Sequence, residues 1–441
     1  MIERFTREKM GDLWTQVAKF KSWLKVEFAA IQVRIDKGEI KDTEIPEGLL
    51  DRVKIKPKVI DRIEAKVKHD VIAFLMSVSS QLPENLRQWL HHKMTSYDPQ
   101  DTGLFMTLVA SIDIIIDDID RVMKIVKKRA FQYRHTPMVG RTHGIHAEPI
   151  TYGVKLANWY DELRRQKRRL IALRENMAVG KLSGAVGLYT LDPEIEEFVC
   201  SSLGLKPIVS TQIISRDLIT EYVAVMANIA GSLGKFCTTL RGLARTEIRE
   251  IMEFFDKAQR GSSAMPHKKN PISFENIVSL CRHIVSCFFT ASQNQITWDE
   301  RDLANSGNER IILPDVAILT DYVLTRFANT FEKMLVFPER MMKNLNMTKG
   351  LIFSQDVQAL VAEKSKLPRE KAYGLVRDVV LKCWESDYEL DFFTELTKNK
   401  QIMRYVTVDE LKSRFDLDQK LKHVDAIFKR VFGEEALEVS V

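Results

Sequence analysis

The stretch Tyr222–Leu243, YVAVMANIAGSLGKFCTTLRGL, sets Tyr222, Met226, Ile229, Leu233, Phe236, Leu240 and Leu243 at alternating spacings of four and three. That is a continuous apolar stripe along one face of an α-helix, the seam by which a helix packs on others. No proline lies between Pro207 and Pro266, so the sequence allows one helix of about 40 residues here, near 60 Å long. Gly231, Gly234 and Gly242 interrupt the stripe and mark either close helix approach or a bend. Upstream, Leu104, Leu108, Ile112, Ile115, Ile119, Val122 and Val126 share a second face. Further helices read from Val154 to about Val179, Phe274 to Ser292 and Pro314 to Leu335. Five long helices with short connections predict an all-α chain built on a bundle.

Composition agrees. Glycine and proline together make about 7% of the 441 residues, well below the ~12% of average usage, which favours long uninterrupted helices. The flanking parts are shorter and broken more often. They divide the chain into an N-terminal helical domain (1–94), the long-helix bundle (95–365) and a C-terminal helical domain (366–441). The last opens near Lys366-Leu367-Pro368, where proline fits a helix start.

The net charge of +6 from 66 basic and 60 acidic residues is too small and too scattered for a nucleic-acid binder. Runs such as Arg164-Arg165-Gln166-Lys167-Arg168-Arg169 read as solvated helix faces. Five cysteines without CxxC or Cys/His spacing indicate neither a disulfide framework nor a zinc site. The start, Met1-Ile2-Glu3-Arg4, lacks a hydrophobic signal core, and no run approaches the ~18 apolar residues of a membrane span. The chain reads as soluble and cytoplasmic, with no membrane partner.

Chemistry concentrates where the helical pattern breaks. Gly261-Ser262-Ser263-Ala264-Met265-Pro266-His267-Lys268-Lys269-Asn270-Pro271 is a loop, because each proline disfavours helix on the residue before it. It offers two hydroxyls, two ammonium groups and free backbone N–H groups, an inventory suited to a polyanionic substrate and an activated hydroxyl. Lys68-His69-Asp70, His91-His92-Lys93-Met94-Thr95-Ser96-Tyr97-Asp98 and Gly140-Arg141-Thr142-His143-Gly144-Ile145-His146-Ala147-Glu148-Pro149 form three more polar clusters. Singly, each histidine reads as an ordinary surface or core residue. Yet six of the nine fall in these clusters or the serine loop, and that favours acid–base chemistry near neutral pH. Arg301, Ser306 and Arg310 make a natural phosphate or carboxylate grip; from these residues alone an intrahelical salt-bridge ladder reads equally well.

Taken together, GRTHGIHAEP (140–149), SSAMPHKKNP (262–271), KLSGAVG (181–187), STQ (210–212) and ERIILPD (309–315) resemble the adenylosuccinate lyase family of the fumarase/aspartase superfamily, over nearly the whole length. The resemblance implies a three-domain fold whose central five-helix bundles form a twenty-helix core in a homotetramer, with each active site built from three subunits. It also implies β-elimination of fumarate from adenylosuccinate, giving AMP, and from the succinylated aminoimidazole carboxamide ribonucleotide of purine synthesis. No cofactor or metal is implied.

Carried over motif by motif, Ser262 is the base, its alkoxide favoured by Lys268, and His143 the general acid, oriented by Glu275. Thr95, Ser96, Ser263, Lys268 and Asn270 hold succinyl carboxylates. Lys68, His69, Asp70, His91 and Gln212 line the site. Arg4, Phe5, Arg301, Ser306 and Arg310 face the nucleotide, and the arginines and serine grip its phosphate. Departures gather on the nucleotide side: Phe5 replaces a tyrosine, TSYD replaces TSSD or TSTD, Leu218-Ile219-Thr220 replaces RHA of an RDRHA run, and Asp299–Gly307 lacks the usual histidines. A paralogous lyase releasing fumarate from another N-succinylated amine is therefore the second reading, and a catalytically silent scaffold, which would have lost Ser262 or His143, the third.

Overall fold

The computed structural model describes residues 2–256, 262 and 264–434. In chain order its principal elements are α1 (Gln16–Asp36), α2 (Pro57–Val67), α3 (Asp70–Ser79), α4 (Tyr97–Gln132), β1 (Pro137–Thr142), β2 (Ile145–Thr151), α5 (Tyr152–Met177), α6 (Pro193–Ser202), α7 (Asp217–Leu243), α8 (Ile272–Gln293), α9 (Ser306–Lys333), α10 (Pro338–Leu345), α11 (Ser354–Ser365) and α12 (Arg369–Glu385). The strands are few and short, so the class is all-α. Every residue of the α7 seam is buried, and so is every residue of the α4 stripe except half-buried Leu104. The five long helices α4, α5, α7, α8 and α9 are present.

Two boundaries differ from the sequence reading. The expected helix of about 40 residues is α7, with 27. The apolar seam stops at Leu243, and the polar run that follows turns back so that the Glu250 N–H bonds the Leu243 carbonyl at 3.0 Å. Conversely, α9 begins at Ser306 and carries Pro314 inside it. Proline removes the N–H that would bond the Arg310 carbonyl, but burial of Glu309, Ile312 and Leu313 holds the first turns in place. The glycines of α7 mark no close approach within the chain. A Cβ at Gly231 would meet nothing within 4 Å, and one at Gly234 only Cys281 Cβ at 3.8 Å. By mean hydropathy α7 and α8 are each long and apolar enough to cross a membrane, although polar residues interrupt both and neither holds an unbroken apolar run of that length. The apolar residues of α7 form the buried seam, whereas α8 leaves Val285, Phe288 and Phe289 exposed.

The chain divides into two compact units, and each long helix contributes residues to both. The first comprises Met1–Val122, Arg165–Lys235 and Asn276–Phe327. One of its cores sets Phe20 flat on Phe74 with ring centroids 5.6 Å apart, and Trp23 edge-on to both. The opposite face of α1 buries Val26, Ala30 and Val33 against Ile195 and Val199 of α6. The second unit comprises Met123–Arg164, Phe236–Glu275 and Ala328–Val441. There Trp159 stacks on Phe236 at 4.5 Å, and the Arg129 guanidinium donates to the carbonyls of Phe331 and Glu332 at the end of α9, the favourable place for a cation on a helix. Gly153 allows α5 to start against the end of α4, since a Cβ there would lie 2.5 Å from Arg134 Cα.

Candidate active site

In the first unit, Thr95 and Ser96 immediately precede α4. Asp98 in the first turn fixes this approach. Its Oδ2 accepts the Thr95 N–H at 2.7 Å, and its Oδ1 pairs with Lys181 Nζ at 2.6 Å, both side chains being buried. Lys181 Nζ also donates to the Gln212 carbonyl at 3.0 Å, tying Gln212 to the same knot. His69 caps α3, with its Nδ1 accepting the Ile72 N–H, and its Nε2 lies 3.5 Å from Ser96 Oγ. His91 has a left-handed backbone (φ 58°) and both its N–H and its Nδ1 contact buried Glu27. Burial opposes a charge on His91, but the Glu27 carboxylate at 2.7 Å outweighs it, so its pKa is raised. Lys68, in the left-handed cap of α2, is exposed, as is Arg4.

Arg301, Ser306 and Arg310, the expected anion grip, lie in the same unit. Arg301 lies in the loop before α9, and Ser306 is the first residue of that helix, so the segment is partly loop. The Arg301 guanidinium lies 4.0 Å from the Tyr97 ring centroid, donates to the Tyr97 hydroxyl through Nη2, and bonds Asn305 Oδ1 at 2.7 Å through Nη1. The Tyr97 hydroxyl in turn donates to Ser306 Oγ at 3.4 Å. Behind it, Arg216 binds Asp101 through both terminal nitrogens and Glu309 through Nε, all three buried. Arg310 pairs with Asp70 at 2.9 Å. Desolvation lowers the Arg301 pKa, with Tyr97 working against the fall. The N-terminal segment is pinned by Arg7, whose Nη1 reaches both Asp118 and Asp321, while the Phe5 ring packs on Tyr322 at 5.3 Å.

In the second unit, His143 occupies the tip of the β1–β2 hairpin. His143 and Gly144 both have positive φ, 56° and 82°, the two-residue turn that matches the twist of the strands. Arg141 anchors the hairpin through a two-point contact with buried Glu250, at 2.6 and 3.1 Å. Ser262 Oγ accepts the N–H groups of Ala264 and Met265 at 3.3 and 3.2 Å. Lys268 is exposed and closes a turn with its N–H on the Met265 carbonyl; half-buried Asn270 stands just before α8. Glu275, in the first turn of α8, lies 3.8 Å from Arg241. Among the described residues, the side chains of His143, Ser262, Lys268 and Glu275 form no hydrogen bond or ion pair with one another. Ser263 lies outside the described residues.

In the first unit Arg301 and Ser306 are joined through Tyr97, Ser96 approaches His69 and Arg310 pairs with Asp70, while the expected acid and base share no hydrogen bond. The structure adds supports the sequence reading did not assign: Asp98, Lys181, Asn305 and Glu27. Asp98 and Lys181 lie inside motifs already quoted, and Glu27 is a charge on the apolar face of a helix, a signal that could have been read.

This chain matches the lyase family over residues 4–286 and the adenylosuccinate lyase C-terminus over residues 350–431. It is 43% identical to adenylosuccinate lyase of Aquifex aeolicus (strain VF5) over 99% of this chain and 100% of that protein. Against adenylosuccinate lyase of Bacillus subtilis (strain 168) identity is 41%, covering 98% of this chain and 99% of the other. The fold is similar to that of 3-carboxy-cis,cis-muconate lactonizing enzyme from Pseudomonas putida, with a TM-score of 0.85 at 25% identity, covering 99% of this chain and 98% of that one.

Proposed function

We propose that this chain, which belongs to the adenylosuccinate lyase family, is a carbon–nitrogen lyase that splits adenylosuccinate into AMP and fumarate by β-elimination. The succinylated aminoimidazole carboxamide ribonucleotide is its second substrate. The observation that carries this reading is the pre-formed grip of Arg301, Ser306 and Arg310 beside the Thr95-Ser96 entry to α4. It offers cations for a phosphate and the Thr95 and Ser96 hydroxyls for a succinyl carboxylate.

In this mechanism Ser262 removes the proton beside a succinyl carboxylate, and Lys268 stabilises the alkoxide. Thr95, Ser96, Ser263 and Asn270 hold the carboxylates as charge builds on the carbanion. His143, with Glu275 orienting it, protonates the departing nitrogen. His69, Asp70, His91, Lys68 and Gln212 line the site, and Arg4 and Phe5 contact the nucleotide.

His143 and Ser262 share no hydrogen bond within one chain, which fits a site that takes them from different subunits. The exposed Val285, Phe288 and Phe289 of α8 support burial of that helix against other copies. We therefore propose a cytoplasmic homotetramer with shared active sites, whose chains divide at 1–94, 95–365 and 366–441. The separate apolar cluster within Phe20–Leu86 supports the first of these divisions. Incubating purified protein with adenylosuccinate and following AMP and fumarate tests the activity; their failure to appear in equal amounts would overturn it.

A further inference from the structure

A cavity of about 380 Å³ in the first unit is lined by Trp23, Tyr97, Gln100, Ser306 and Arg310, and by one residue the site above leaves out, Lys19 of α1. Its ammonium makes no hydrogen bond. Its ion-pair partner is Asp70, at 3.9 Å, with the charges of Glu64 and Asp61 acting from further away, and Arg310 already occupies Asp70 at 2.9 Å. The stem crosses the Trp23 ring, with Nζ 4.6 Å from its centroid. Lys19 and Arg310 thus line one concave space and share Asp70, while the Asp101 and Glu309 carboxylates of its wall are held by Arg216. Burial lowers the Lys19 pKa first, and the neighbouring Arg310 charge lowers it further.

A half-buried ammonium that makes no hydrogen bond within the chain, and whose partner carboxylate is shared with Arg310, is placed to receive an anion. We propose that Lys19 is a further substrate-binding residue, which with Arg310 and Ser306 holds the phosphate of the nucleotide. The inference rests on the nucleotide reading above and deepens it. Three donors of different kinds match the oxygens of a phosphate, with the guanidinium giving direction and the ammonium point charge. Ser306 opens the 28-residue α9, whose first N–H groups add favourable dipole to the same space. A second carboxylate subsite fits less well, since Thr95 and Ser96 already stand at the head of α4.

Lys19→Met keeps the stem over Trp23 and removes the charge; Lys19→Arg keeps the charge. Thermal-shift titrations with AMP and with inorganic phosphate, and steady-state kinetics with adenylosuccinate, are run on wild type and both variants. We expect Lys19→Met to raise KM and weaken AMP and phosphate binding by tenfold or more, with kcat within about threefold and the ligand-free melting temperature unchanged or raised, because a like-charge contact has gone. Lys19→Arg should recover most of the binding. Unchanged AMP binding in Lys19→Met overturns the proposal, and so does a loss that Lys19→Arg leaves unrepaired alongside a lowered melting temperature. If wild type does not cleave adenylosuccinate but Lys19→Met still loses phosphate binding, the substrate assignment fails and the role of Lys19 stands.

Discussion

Asp98 and Lys181 form an ion pair at 2.6 Å with side chains 1% and 0% exposed, joining the start of α4 to the loop after α5. The pair is more than a core contact, because Asp98 also receives the Thr95 N–H and Lys181 also donates to the Gln212 carbonyl. Lys181→Met should destabilise the fold by about 3–5 kcal/mol, since an unpaired carboxylate stays buried. Adding Asp98→Asn should return part of that loss. Urea denaturation of the single and double variants checks this; additive losses would show that the two residues act independently.

Tyr97 is where the site departs from the family in a way that the structure explains. Its ring supports the Arg301 guanidinium, and its hydroxyl links Arg301 to Ser306. Tyr97→Phe keeps the stack and removes one neutral hydrogen-bonding group, a change of about 1 kcal/mol, so KM for adenylosuccinate should rise roughly fivefold with kcat nearly constant. Tyr97→Ala, which also loses the ring, should raise it further. Equal KM values in wild type and both variants would remove Tyr97 from the grip.

The long helices were legible because an apolar stripe is a local pattern, and Tyr222 to Leu243 lie buried as the spacing requires. Their ends were less so. Nothing in the residue order announces that the Leu243 carbonyl will bond Glu250, or that burial of Glu309 and Leu313 will hold a helix through Pro314. The motifs name most of the proposed site, since Ser262, His143 and Thr95 stand in short specified runs. Lys19 and Glu27 escaped because each matters through a partner distant in sequence: Arg310 for one, His91 for the other.

Asp118 and Asp321 share the Arg7 guanidinium at 3.0 and 2.5 Å. Burial, and then the Asp118 carboxylate, push the Asp321 carboxyl up to about 8. A folded-state acid with a raised pKa holds its proton where the unfolded chain has lost it. Stability therefore falls as pH climbs from the ordinary carboxyl range near 3.8 towards about 8. Asp321→Asn removes that titration. Its stability relative to wild type should grow between pH 5 and about pH 9, read from melting temperatures in matched buffers. Parallel pH profiles would show that the pair does not titrate in this window.

The most demanding prediction concerns where the acid and base come from. Ser262 and His143 share no hydrogen bond within one chain, yet elimination needs a base on the carbon and an acid on the nitrogen of one substrate. Ser262→Ala should lower kcat far more than it changes KM, because the hydroxyl acts on the proton in flight. His143→Ala should also be nearly inactive. When the two inactive proteins are mixed and their subunits exchanged, some sites receive Ser262 from one chain and His143 from another, and part of the activity should return. Light scattering establishes first that the protein is a tetramer, and mass spectrometry of differently tagged chains establishes that hybrids form. Hybrids that stay inactive would mean that both residues serve from the same subunit, and the shared-site assembly would have to be abandoned.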